Sequence, residues 1–235
     1  KKIDDKPENA NGLSPKDRQE IEDQLKEEQQ HIKPVKNYAD AFKSKAVILL
    51  SLQFALWCIG EYGFVMWLPS IIKAAPSMGI VETGWLSSVP YIFAIIGMLA
   101  ASYFSDKTLN RKLFVWPFLL VGALAFYGSY LIGPSNFWVS YILLIIAGSS
   151  MYAPFGPFFA IITDILPQNV AGVAIALINS MGALGAFIGS YIVGYLNGAT
   201  GSFSSSYIFM SVALLLSAIL TMLVAKNKPE IIQSL

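Results

Sequence analysis

An all-α, polytopic membrane protein is the fold class that this 235-residue sequence predicts, and three observations predict it. Between Leu113 and Ala225 the one formal charge is Asp164, whereas residues 1–45 hold ten basic and ten acidic side chains. A charge at the bilayer centre costs about 2.5–3.5 kcal/mol even on lenient insertion scales, so a stretch this empty of charge suits lipid. Hydrophobic residues make up 55% of the chain and charged residues 13%, against roughly 25% charged in soluble domains, and mean hydropathy is +0.57. Finally, the apolar residues fall into six runs, each near the roughly 20 residues that cross a hydrocarbon core as helix. Membrane strands would be about half that length and alternate in polarity.

Residues 1–45 form a polar leader. Within it Ser14-Pro15-Lys16-Asp17 has the chemistry of a helix start, with a Ser cap, Pro in the first position and an acid in the first turn. A short, mostly charged surface helix is expected from there to about His31. The apolar runs follow at 46–72, 84–104, 113–133, 137–166, 170–196 and 206–225, and residues 226–235 form a polar tail. Gly, Pro, Ser and Asn punctuate the breaks, as at Ala75-Pro76-Ser77-Met78-Gly79 and Gly133-Pro134-Ser135-Asn136. The chain opens Lys1-Lys2-Ile3-Asp4, with no initiating Met and no short apolar signal run, and is expected to be a segment of a longer protein.

The basic residues set an expected orientation. With the leader cytoplasmic, Lys107, Arg111, Lys112, Lys226 and Lys228 fall inside and only Lys73 outside, so both ends face the cytoplasm of a multi-pass cell (plasma or inner) membrane protein. A net charge of +1 gives no reason to expect nucleic acid as a partner. A lone cysteine, Cys58, excludes an intrachain disulfide and a multi-cysteine metal site. No metal-ligand cluster, nucleophile with a base, or phosphate-cradling loop is visible, so neither an enzyme nor a cofactor is expected.

Four constellations carry functional chemistry. Glu61 lies mid-span in Cys58-Ile59-Gly60-Glu61-Tyr62-Gly63, where an ionisable group is expensive and should face a polar cavity or a partner. Two readings are open: a proton or substrate site, or a structural carboxylate bonded to a neighbouring helix. The flanking glycines, with Pro69 beyond, mark this span as a candidate for unwinding or bending. In the fourth run, Met151-Tyr152-Ala153-Pro154-Phe155-Gly156-Pro157-Phe158-Phe159 breaks a helix at mid-membrane, so protein or water must satisfy the freed carbonyls. Asn179 and Ser180 place polar groups centrally in the fifth run, as site residues or as interhelical bonds. The short loop Ser105-Asp106-Lys107-Thr108-Leu109-Asn110-Arg111-Lys112 mixes both charge signs, and Asp106 is positioned to pair with those bases or cap a helix and so latch two helices in one conformation. Small residues four apart, Gly97 with Ala101 and Gly185 with Gly189, read as close helix packing.

That loop is similar to the signature of the major facilitator superfamily, with Ser102 in place of its glycine and Lys107 in place of its arginine. Three stretches resemble the anion:cation symporter family within it. Lys6-Pro7-Glu8-Asn9-Ala10 with Leu13-Ser14-Pro15-Lys16-Asp17-Arg18 resembles the central loop. Tyr62-Gly63-Phe64-Val65-Met66-Trp67-Leu68-Pro69 resembles the seventh helix, and Asn179-Ser180-Met181-Gly182-Ala183-Leu184-Gly185 with Gly194-Tyr195-Leu196 resembles the eleventh. The resemblance implies the C-terminal six-helix half of a transporter, built of 3+3 inverted repeats and partnered by an N-terminal six-helix half. It implies alternating access with proton-coupled symport of an organic anion such as a sugar acid. It places Gly156, Phe159 and Asn179 at substrate-facing positions and Asp164 at a gating or anchoring position; Tyr62 and Ser180 are further candidates for binding substrate. Glu61 is the proton-coupling candidate, and Asp106, Lys107, Arg111 and Lys112 form the gating loop. An exchanger of organic for inorganic phosphate, and a non-transporting sensor on the same fold, are the alternatives. The six runs contain no Lys or Arg at depth, so the cation an anion needs is expected in the N-terminal half.

Overall fold

The computed structural model describes residues 14–29, 44–75, 78–133, 136–166 and 168–224. Lys6 to Leu13, His31, Pro167, Lys226 and Lys228 lie outside the described residues. Among those described, all regular structure is helical: α1 (Pro15–Gln29), α2 (Lys45–Lys73), α3 (Ile80–Thr108), a 3-10 turn (Arg111–Phe114), α4 (Trp116–Ile132), α5 (Phe137–Tyr152), α6 (Phe155–Ile165), α7 (Gln168–Thr200) and α8 (Ser204–Leu223). Ser14 Oγ accepts from the Asp17 amide at 3.1 Å and so starts α1. Six stretches are long and apolar enough to cross a membrane, α5 and α6 together forming one of them.

Several helices outrun their apolar cores. α3 begins four residues before Gly84 and ends four after Phe104, taking in Glu82, Asp106 and Lys107. Hydropathy marks only the stretch suited to lipid, whereas backbone hydrogen bonding carries a helix on into its polar ends. α3 then stops at Leu109, a left-handed residue (φ 52°) whose amide donates to the Ser105 carbonyl at 2.9 Å. That conformation normally falls to Gly or Asn at a helix C-terminus, and here it turns the chain directly into the 3-10 turn.

α2 is the central element. Of its most apolar window 67% is buried, against 17% for α3. It lies along α7 through a glycine seam: a Cβ added to Gly185 would strike the Ala55 carbonyl oxygen, one on Gly189 that of Ile59, and one on Gly194 the Trp67 ring. Without side chains in the way, backbone meets backbone, and dispersion replaces the hydrophobic drive that lipid does not provide between helices. Trp67 Nε1 adds a bond to the Ser190 carbonyl at 2.9 Å.

α8 closes the other side of α2. Gln53 Nε2 donates to Ser217 Oγ at 3.0 Å, and that hydroxyl donates to the Gln53 carbonyl at 2.9 Å. α8 is tied to α4 by Ser211 Oγ on the Ala123 carbonyl (2.7 Å), and α5 to α3 by the Tyr141 hydroxyl on the Leu86 carbonyl (2.8 Å). Interhelical bonds of this kind are worth about 0.6 kcal/mol each in membranes, so they fix register more than they hold the bundle. Trp57, Phe64, Phe126 and Phe158, all fully buried, fill the centre.

Candidate functional site

Glu61 sits near the middle of α2 and is 3% exposed. Its Oε2 is buried without a hydrogen-bond partner, while the Tyr152 hydroxyl, at the end of α5, lies within hydrogen-bonding reach of the carboxyl. Cys58, one turn earlier on α2, is buried and reduced. Tyr91 of α3 joins the cluster through its ring, 5.8 Å from that of Tyr152. An aromatic hydroxyl is the mildest partner for a carboxyl at this depth, because it can donate to the ionised form without adding a charge.

Of the unwinding or bending expected at the glycines beside Glu61, unwinding is absent. The helix is continuous from Lys45 to Lys73, with Pro69 inside it. Gly60 and Gly63 are instead contact points: a Cβ on Gly60 would lie 2.8 Å from Leu214 Cγ, and one on Gly63 2.9 Å from Val193 Cγ2. Close packing, not backbone freedom, is what these glycines provide.

The break lies in the fourth run, at Ala153-Pro154 between α5 and α6. Pro154 and Pro157 lack N–H groups, so the carbonyls of Ser150 and Ala153 lose their helical donors. The ladder resumes at once, with Phe158 N on the Pro154 carbonyl at 2.9 Å. The offset fans Tyr152, Phe155 and Phe159 along one side. Phe155 and Phe159 lie 6.4 Å apart, and Phe54 of α2 stands 5.7 Å behind Phe159. Gly156 faces Ser102, whose Oγ occupies the space that a Cβ at 156 would take. The hydroxyl absent at 156 is thus present on α3, where the loop signature has glycine.

Tyr62, 38% exposed, and Asn179 and Ser180, both exposed, lie outside the bundle core. Ser180 Oγ donates to its own helix at Ala176 O (2.8 Å), and Ser190 Oγ reaches the Tyr62 carbonyl at 3.4 Å. Exposed amide and hydroxyl groups at mid-span are suited to a protein-walled cavity and not to lipid. Phe54 links the α6 and α7 parts of this face, since a Cβ on Gly182, one turn beyond Asn179, would strike its ring. Farther along α2 and α7, an open cleft of about 510 Å³ is lined by Met66, Trp67, Ser70, Phe187, Ser190 and Tyr191. Among the described residues no group of three or more His, Cys, Asp or Glu is placed to hold a metal.

A second cluster forms at the end of α3. Arg111 binds Asp106 through Nη1, reaches Ser105 Oγ at 3.4 Å, and through Nε reaches Asp164 of α6 at 3.4 Å. Two of the expected loop residues, Asp106 and Arg111, are therefore joined to Asp164, while Lys107 is exposed beside them. Sequence reasoning passed over Tyr152, Tyr91 and Ser105, whose roles depend on helices that meet only in three dimensions. The one local signal was the position of Tyr152 two residues before a mid-membrane proline.

Residues 12–190, and again 77–233, match the family described as Major Facilitator Superfamily. A protein named a putative tartrate transporter, from Agrobacterium vitis, is 31% identical over 188 residues, covering 80% of this chain and 41% of its own length. A protein named a quinolone resistance transporter, from Acinetobacter baumannii, is 32% identical over 189 residues, covering 80% and 43%. In fold, the E. coli fucose:proton symporter superposes with a TM-score of 0.70 at 12% identity, over 80% of this chain and 45% of that one. The chain spans less than half the length of each.

Proposed function

The chain belongs to the major facilitator superfamily, and from that premise we propose that it is the C-terminal half of a proton-coupled symporter of organic anions in the cell membrane, working by alternating access with an N-terminal six-helix half. The observation that carries this reading is Glu61: a carboxyl buried at mid-span, one oxygen unpartnered and a tyrosine hydroxyl close by, beside the broken helix. A carboxyl so placed takes up and releases a proton as access to water changes, without an ion having to be housed beside it. Tyr62, Gly156, Phe159, Asn179 and Ser180 supply the adjoining substrate face. Asp106, Arg111 and Asp164, with Lys107 and Lys112 nearby, form the gating cluster. Relatives named as putative tartrate and probable galactarate/D-glucarate transporters support an organic acid as cargo.

An exchanger of organic for inorganic phosphate should need several deep basic residues; no Lys or Arg lies within the apolar cores of these spans, so the sequence of the other half separates the two readings. The cation for a carboxylate is assigned to the other half. The reading is tested with the complete transporter in proteoliposomes, by uptake of a panel of carboxylates with and without a pH gradient. Glu61→Gln should abolish most gradient-driven accumulation while leaving counterflow exchange intact. Uptake by Glu61→Gln that matches the parent at every pH would reduce Glu61 to a structural group.

A further inference from the structure

We propose that the transported anion carries a flat, unsaturated or aromatic body that lies against the rings of Tyr152, Phe155 and Phe159, and is not a polyhydroxylated chain. This deepens the reading above and rests on it.

The first observation is the shape and make-up of the face. Tyr91, Tyr152, Phe155 and Phe159 form an unbroken row of half-buried rings from α3 along α5 and α6. Successive centroids lie 5.8, 5.8 and 6.4 Å apart, and the Tyr152 and Phe155 planes are only 20° from parallel. Phe54 and Trp57 of α2 back the row, Trp57 at 4.8 Å from Phe155. Rings backed in this way are held in a set position, and a planar π-system gains offset stacking on an aromatic ring beyond its area of contact.

The second observation is a shortage of hydrogen-bonding groups. Ser149, Thr163, Ser180 and Ser190 all donate their hydroxyl protons back into their own helices, to Ile145, Ala160, Ala176 and Ala186. The Tyr152 hydroxyl lies close to the Glu61 carboxyl. Among the described residues of this half, the donors left on this side are Tyr62, Tyr91, Ser102 and Asn179, with Trp57 Nε1 unpartnered but buried behind the row, a set that suits a carboxylate better than a hydroxyl on every carbon. A sugar acid brings a hydroxyl on nearly every carbon, and each one stripped of water without a partner costs binding.

The test uses the complete transporter in proteoliposomes and three dicarboxylates: isophthalate, which is aromatic, adipate, which is aliphatic, and galactarate, its polyhydroxylated counterpart of equal chain length. Isophthalate is expected to be taken up with a KM at least about tenfold below that of galactarate. Phe155→Leu and Phe159→Leu should raise the isophthalate KM about threefold to tenfold, the size of one stacking contact, and the adipate and galactarate KM by less, with melting temperatures in detergent near that of the parent as evidence that the variants are folded. A lower KM for galactarate, or equal losses for all three acids in the leucine variants, would overturn the aromatic assignment while leaving the transporter reading intact. Gradient-driven uptake of no carboxylate in a broad panel would overturn both.

Discussion

Arg111, in the turn that follows α3, binds Asp106 on the helix it has just left and reaches Asp164 of α6 at 3.4 Å, 53 residues away. The left-handed Leu109 makes this possible by reversing the chain immediately before it. One guanidinium therefore joins the end of α3 to the end of the broken helix. Exposed ion pairs are worth about 0–1 kcal/mol, and the two carboxylates here are well exposed. The cluster is better placed to bias one arrangement of the helices than to hold the fold.

Arg111→Ala is accordingly expected to slow transport severalfold while shifting the melting temperature of the detergent-solubilised protein by no more than a few degrees. Arg111→Lys should restore only part of the rate, because an ammonium is a point charge and cannot hold two carboxylates as a planar fork does. Uptake rates of the Arg111→Ala, Asp164→Asn and doubly substituted proteins give the check: losses that simply add would separate Arg111 from Asp164.

The glycine seam makes a stability prediction. Gly185→Ala and Gly189→Ala each drive a methyl into a backbone carbonyl of α2, and overpacking of this kind costs about 1–3 kcal/mol. Gly198→Ala, on the same helix with nothing within 4 Å of the added carbon, should be neutral or slightly stabilising. Thermal unfolding in detergent distinguishes the three, and equal melting temperatures would remove the seam from the account.

Gln53 and Ser217 bind each other twice across 164 residues of sequence. Ser217→Ala strands a buried amide and should cost about 1–3 kcal/mol. Gln53→Leu combined with Ser217→Ala should recover part of that loss, since no stranded donor remains. A double-mutant cycle on unfolding midpoints measures the coupling.

Tyr152→Phe keeps the ring and removes the hydroxyl that approaches Glu61. The pH dependence of uptake should move in this variant. In a Glu61→Gln background the same substitution should add nothing, because the group whose protonation it influences is gone. A pH profile that moves equally in both backgrounds would assign the effect of Tyr152 to substrate contact instead.

The membrane fold was legible because lipid imposes a one-dimensional rule: charge is excluded and spans have a minimum length. Ser14 and Pro15 were equally readable, since a helix start is settled by residues three or four apart. The glycines were not. Gly60, Gly63, Gly185 and Gly189 look alike in sequence, and a missing side chain signals bending and close approach with the same letter; only the positions of Leu214, Val193, Ala55 and Ile59 show that all four serve contact. The pairing of Arg111 with Asp164, and of Glu61 with Tyr152, depends on which helices become neighbours, and sequence spacing does not carry that. Asp106, Asp164 and Glu61 stood out individually because charge is scarce, and scarcity identifies a residue without naming its partner.

Where the carbonyls of Ala55 and Ile59 lie against Gly185 and Gly189, two helices are fused into a single beam. Such a beam does not shear, because sliding by one turn would push side chains into positions that accept none. In the alternating-access cycle proposed above, rocking of this half would carry α2 and α7 together, with Glu61 on one and Asn179 on the other keeping their spacing.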